Sequence, residues 1–160
     1  MENKIKIRPI SELDHEWIES VMTAAWGSVM VVASRLFNTL ELPGIIAEAD
    51  NKPVGVATYD ISGGKLEIVS LNSVIKGQGV GSRLIEEVKK VAKHKSLKTV
   101  WLVTSNDNID SLRFYQKRGF RITKVYPDAI DEARKTKPEI PLTGNYGIPL
   151  KDAIELEYGI

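Results

Sequence analysis

The chain opens with alternating apolar and polar positions, IKIRPI at 5–10, the period of a half-buried strand. The period then lengthens: Leu13, Trp17, Ile18, Val21, Met22 and Ala25 fall on one face of a predicted helix. Gly27 interrupts it, and VMVVASRLFNTL, 29–40, is read as a second helical piece. From Pro43 the texture changes to short β-rich runs, GIIAEAD, VGVATYDI and KLEIVSL, separated by Asn51-Lys52-Pro53 and Ser62-Gly63-Gly64. Both separators carry turn chemistry, so an antiparallel meander is expected. Leu84, Ile85, Val88, Val91 and Ala92 then form a core-facing stripe among lysines, the clearest helix in the chain. TVWLVTS, 99–105, is a continuous apolar run of the kind a strand covered on both faces shows. A short helix from Asn108 to about Arg118 is stopped by Gly119, and FRITKVY follows as a strand. Residues 127–153 hold four of the seven prolines and read as a short helix followed by a long loop. The closing IELEY alternates as a last strand.

Composition narrows the picture by exclusion. A chain of 160 residues suits one domain with a real core, 1–160. Lys and Arg number 22 against 21 Asp and Glu, so no bulk field favours nucleic acid or a membrane surface. No run of eighteen apolar residues occurs, and MENKIKIRPI lacks a signal-peptide core, so the expected location is cytoplasmic. The absence of cysteine removes disulfides, thiolate metal sites and a cysteine nucleophile. His15 and His94 have no partners at metal-ligand spacing, and no metal is expected.

The chemistry begins at IKGQGVGSRLIEEV, 75–88, where Gly77, Gly79 and Gly81 directly precede the clearest helix. A dinucleotide fold asks for G-x-G-x-x-G, and the third glycine here comes one residue early. A nucleoside-triphosphate loop asks for G-x-x-x-x-G-K-[ST], but Gly81 is followed by Ser82-Arg83. What remains is the physics shared by both loops: backbone N–H groups turned inward at a helix start, a cradle for an anion such as a pyrophosphate. A tight turn that needs glycine only for its dihedrals is the other reading of these residues.

Lys76, Gly79 and Gly81, followed by Asn108, Ser111, Tyr115, Gly119 and Phe120, resemble the two motifs of the GNAT superfamily of N-acetyltransferases. These are [QR]-x-x-G-x-[GA] before a helix and N-x-x-A-x-x-x-Y-x-x-x-G-F after the next strand. Lys76 stands in place of Gln or Arg, and Ser111 in place of alanine. The order of elements is also similar to the superfamily's, so the resemblance spans nearly the whole chain. EARKTKPEIPLTGNYGIPLKDAIELE, 132–157, resembles in addition a bacterial subgroup of that superfamily. The fold implied is α+β, of the three-layer type. It has a central mixed, mostly antiparallel sheet of about seven strands, flanked by helices and splayed between the fourth and fifth strands.

The resemblance implies acetyl-CoA as cofactor, with CoA as product. Its pyrophosphate would lie on Lys76, Gly77, Gln78, Gly79, Val80, Gly81 and Ser82, and its pantetheine arm along Val69, Ser70 and Leu71. Asn108 and Ser111 complete that expected set, Asn108 also as a helix cap. From 82 to 124 there are eleven Lys or Arg against four Asp or Glu, a local basic field suited to phosphates. Tyr115, by the same resemblance, sits beside the thioester sulfur and protonates the departing thiolate; the alternative is an aromatic packing with Leu112. Glu67, on the strand leading to the glycines, is the candidate base, directly or through water; its alternative is a cross-strand partner for a lysine. A base is needed because an alkylamine of pKa about 10.4 is almost wholly protonated at pH 7. Without a cysteine to carry the acetyl group, transfer is expected to be direct.

For the acceptor, the resemblance points to the first helices and the loop between the last two strands. That brings in Trp26, Ser28, Arg35, Asn145 and Tyr146, of which Trp26, Arg35 and Tyr146 are the expected contacts. Residues 127–160 hold seven acids and four bases, which leans towards a small cationic amine. Acetylation of a protein lysine or N-terminus, or an acyl-CoA sensor without turnover, are the alternatives. A C-terminal edge strand would allow a homodimer.

Overall fold

The computed structural model describes residues 4–25, 29–32, 35–38 and 40–160. Strand β1 (Lys6–Pro9) leads through a 3-10 turn, Glu12–Asp14, into helix α1 (His15–Ala25). A hairpin follows, β2 (Val29–Val32) and β3 (Arg35–Asn38), and then the meander β4 (Gly44–Ala49), β5 (Lys52–Ser62) and β6 (Lys65–Ser73). The second half alternates: α2 (Val80–His94), β7 (Thr99–Ser105), α3 (Ile109–Lys117), β8 (Arg121–Tyr126), α4 (Ala129–Thr136) and β9 (Ala153–Gly159).

Seven strands form one sheet in the order β1-β4-β5-β6-β7-β9-β8. Only β6 and β7 run parallel, joined through α2 as a parallel pair requires. Ile45, Ala57, Leu66, Leu84, Ile85 and Val88 belong to the main core, on the face that α2 covers. Ile18 and Met22 of α1 pack on the opposite face against Ile46 and Val56. The expected three-layer α+β architecture is therefore present, and its fourth and fifth sheet strands are β6 and β7.

Three expectations are corrected. Residues 29–32 and 35–38 form strands and not a helix. Their hairpin pairs from Val29 opposite Asn38 to Val32 opposite Arg35. Val29, Val31 and Val32 are β-branched and stiff at χ1, which favours strand over helix. Leu13 does not belong to the buried face of α1 and is 94% exposed. The helix begins only at His15, and the tighter period of the preceding turn rotates Leu13 outward. Nor is the C-terminal strand an edge, because β9 inserts between β7 and β8 and leaves β8 outermost.

Arg8 fastens β1 to both neighbours, donating to both carboxylate oxygens of Asp14 at 2.7 Å and to Glu48 at 2.8 Å. The hydrogen bonds from Arg8, opposed in part by burial, hold the Asp14 carboxyl down at about 2.

Candidate active site

Strand β6 makes the site possible by parting from β7. The two pair only at Lys65 with Thr99, Leu66 with Val100 and Glu67 with Trp101. Just beyond, Val69 is an extra residue against β5, where Tyr59 faces Ile68 and Thr58 already faces Ser70. Such a bulge bends its strand, and β6 turns away from β7 here. The edge of β6 at Val69, Ser70 and Leu71 therefore faces a gap whose other wall is Leu102 to Ser105 of β7. Asn108, Ser111 and Tyr115 of α3 line one end of this cavity, and Ile130 and Ala133 of α4 line the other.

A second cleft opens where β6 gives way to α2. It is lined by Lys76, Gly77, Gly79, Val80, Gly81 and Ser82, with Phe114 and Arg118 opposite. Gly77 and Gly79 have φ of 72° and 75°, the left-handed region where a Cβ is strained. A Cβ built on either would meet nothing within 4 Å and would project into open space. Gly81 serves packing instead, since its Cβ would lie 3.1 Å from the Phe114 ring. The first bond of this helix start runs from Arg83 N–H to the Gly79 carbonyl, 3.0 Å. The amides of Val80, Gly81 and Ser82 therefore precede the intrahelical ladder and form the positive end of a fifteen-residue helix.

The two spaces hold about 1130 and 1020 Å³, open mouths included, and share Leu71, Ser111 and Tyr115 as lining residues. They adjoin at these three residues and bend between the glycines and the gap in the sheet. Tyr115 stands at the bend, 7% exposed, its ring edge-on to Phe114 and Phe120. Burial drives its phenol well above the ordinary tyrosine value, and the nearby Arg118 charge opposes this only in part. The proton is therefore retained throughout the neutral range. Asn108 caps α3, accepting from the Ser111 amide at 3.3 Å while its Nδ2 donates to Thr104 Oγ1 at 3.1 Å.

Glu67 does not line either space. It occupies the last paired rung before the gap, 2% exposed, on the strand face opposite Leu66 and Ile68. Ser70 lies on the same face and does line the cavity, its hydroxyl 2.5 Å from that of Thr58. Of the remaining expected residues, Gln78 is exposed at the glycine loop without lining the cleft. Tyr146 is 70% exposed, and its hydroxyl donates to Asp110 at 2.7 Å, outside the lining of both spaces. Trp26 and Ser28 lie outside the described residues, as does the side chain of Arg35 in β3.

Arg118 is a defining residue of neither sequence motif. Its guanidinium donates to Ser82 Oγ from Nε at 3.1 Å and from Nη2 at 2.5 Å, and stacks 3.6 Å from the Phe114 ring centroid. This places a fixed cation at the α2 start, across a separation of 36 residues that no local pattern reveals. Asp107 likewise lies outside both motifs. It is 3% exposed and accepts from Ser105 Oγ at 2.5 Å, Asn145 N–H at 2.8 Å and Asn145 Nδ2 at 3.0 Å. These bonds moor the 143–147 turn to the end of β7.

The family model for the Acetyltransferase (GNAT) family matches residues 12–120. The chain belongs to this family of acetyltransferases. Among curated relatives, the uncharacterized protein YxbD of Bacillus subtilis (strain 168) is 38% identical over 154 residues, covering 95% of this chain and 97% of YxbD. Among solved structures, an IAA acetyltransferase from Bacillus cereus ATCC 14579 has a TM-score of 0.76 at 19% identity, covering 98% of this chain and 100% of that one. A GNAT family acetyltransferase from Elizabethkingia anophelis, solved with acetyl-CoA bound, has a TM-score of 0.71 at 22% identity, covering all of both chains. At these identities the structures establish that the GNAT fold is shared.

Proposed function

We propose that this GNAT acetyltransferase uses acetyl-CoA to acetylate a primary amine within a ternary complex, at the gap between β6 and β7. The observation that carries the reading is the adjacency of the two spaces, which share Leu71, Ser111 and Tyr115. One end offers backbone donors and a cation, and the other offers an unpaired strand edge, which suits a long ligand with a diphosphate at one end and an amide-containing arm at the other.

The residues present fit that cofactor. Val80, Gly81 and Ser82 amides would take the diphosphate, with Lys76 and Arg118 adding charge and the bare Cα atoms of Gly77 and Gly79 leaving room. The edge of β6 at Val69, Ser70 and Leu71 would pair with the arm, and Asn108 and Ser111 would flank it. When bound, acetyl-CoA supplies an acetyl group activated as a thioester.

Tyr115 holds a proton at the bend and donates a hydrogen bond, then the proton, to the sulfur as negative charge develops there. A free N–H at the β6 edge, that of Leu71 in this reading, polarises the carbonyl. Glu67 receives the proton that the incoming ammonium must lose, relayed by water or by the Ser70 hydroxyl, because it stands one rung short of the cavity. With no cysteine in the chain, the amine nitrogen forms its bond to the acyl carbon directly as the carbon–sulfur bond breaks, and the second proton that the nitrogen sheds restores, through solvent, the one Tyr115 gave to sulfur.

The test is amine-dependent release of CoA thiol from acetyl-CoA, matched mole for mole by acetylated amine. A folded protein that binds acetyl-CoA and releases no thiol with any amine would identify an acyl-CoA sensor instead.

A further inference from the structure

The residues lining the gap come from both faces of the sheet, and the two halves differ in chemistry. Leu156 and Tyr158 of β9 pack on the face that α2 and α3 cover. Ala153 alternates with them and belongs to the opposite face, together with Glu155 and Glu157. The cavity runs from Tyr115 of α3 to Ala153 and α4, and so passes through the sheet. The cofactor reading occupies the α3 side, which leaves the α4 side for the acceptor.

That far half is walled by Ile130, Ala133, Ile140, Leu150 and Ala153. Among the described residues lining the cavity there is no Asp or Glu; the ionised side chain present is Lys137. Four acids of 127–160 form ion pairs outside it: Asp131 with Arg134, Glu132 with Lys135, Asp128 with Lys151 and Glu157 with Lys65; Asp152 accepts from the Asp128 N–H, and Glu139 is exposed. Glu155 accepts from the Tyr126 hydroxyl, and the buried Asp107 is satisfied by Ser105 and Asn145. The segment from 22 to 40, which includes the β2–β3 hairpin, has Arg35 as its sole charged residue and can bring no carboxylate. The excess of acid in 127–160 is thus a property of the surface and not of the cavity.

We infer that the acceptor is a primary amine with an apolar body and no second positive charge, its body seated between α4 and the 140–150 loop; this rests on the acetyltransferase reading above. A buried ammonium needs a carboxylate or a set of acceptors. Glu67 can serve the reacting nitrogen, but a polyamine or aminoglycoside would bury further cations beside isoleucine and leucine with no carboxylate among the described lining residues to neutralise them. An arylalkyl or branched alkyl amine fills the same space with contacts that match it.

Initial rates of thiol release from acetyl-CoA, measured with phenethylamine, isoamylamine, spermidine and kanamycin, test this. The two monoamines should exceed spermidine and kanamycin in kcat/KM by about tenfold or more. Ile140→Glu, on a half-buried loop, should shift that ratio towards spermidine by about tenfold, because it supplies the missing carboxylate. Ala133→Phe should raise KM for phenethylamine while acetyl-CoA still raises the melting temperature; if it fails to fold, Ile140→Glu decides alone. Preference for the polycations in the wild-type protein would overturn the inference and leave the acetyltransferase reading standing. Thiol release with no amine at all would overturn both. Should Ile140→Glu change the preferred acyl chain length across acetyl-, butyryl- and hexanoyl-CoA and leave amine preference untouched, the chamber holds the acyl group and the inference fails.

Discussion

Tyr115 shows how much a single buried phenol can be asked to do. Because burial raises its pKa, the hydroxyl remains a donor at any pH the enzyme meets. A raised value means the protonated form persists beyond the ordinary tyrosine range, so kcat should show no falling limb from this group below about pH 10. Tyr115→Phe should lower kcat about a hundredfold, the scale of a lost general acid, with CoA affinity almost unchanged. Equal loss of both in steady-state kinetics and calorimetry would make Tyr115 a packing residue. Tyr115 and the glycines could be found in the sequence because their spacing is local: Gly79 starts a helix, and Tyr115 lies seven residues after its cap. Arg118 could not, since its value lies in touching Ser82 on another helix. Glu67 was legible as a carboxylate on the right strand, but its stop one rung short of the cavity depends on where β6 bends.

Elements are set by how a few polar groups tie segments together. Arg8 joins β1, the turn before α1, and β4 through Asp14 and Glu48. Since the Asp14 carboxyl is held below its unfolded value, its contribution to stability is present at neutral pH and is lost as pH falls from about 4 towards 2. Asp14→Asn should therefore cost about 2 kcal/mol at pH 7 in denaturant unfolding, and the difference from wild type should shrink towards zero at pH 2. A constant difference across that range would remove the charge from the explanation. Asp107 does similar work for the 143–147 turn. Asp107→Ala strips three donors of their acceptor and should speed hydrogen exchange at the Asn145 amide, with core amides of β7 still protected. Uniform deprotection would mean that the residue supports the whole domain. The meander β4 to β6 was readable because alternation and turn residues agree along it. The β2–β3 hairpin was not, because an apolar run with one charge, Arg35, satisfies helix and strand patterns alike, and only its β-branched residues favour the strand.

Across the whole molecule, the placing of β9 between β7 and β8 was beyond any reading of local pattern, because strand order depends on pairings remote in sequence. The parallel contact of β6 with β7 has the same origin, and from its short length follows the gap between them. Ligand held there must stabilise the native state. Acetyl-CoA at a hundred times its Kd should raise the melting temperature by roughly 5–10 °C, with ATP and NAD well below it. Equal effects from all three would reduce the site to a general phosphate binder. Whether the start of α2 clasps the diphosphate can be seen in amide NMR spectra of the protein titrated with CoA and, separately, with pantetheine, which lacks the phosphates. CoA should move the Val80, Gly81 and Ser82 amide resonances to saturation, while pantetheine moves those of β6 alone. If CoA saturates the protein and these three amides stay where they were, the cradle is not where the cofactor binds.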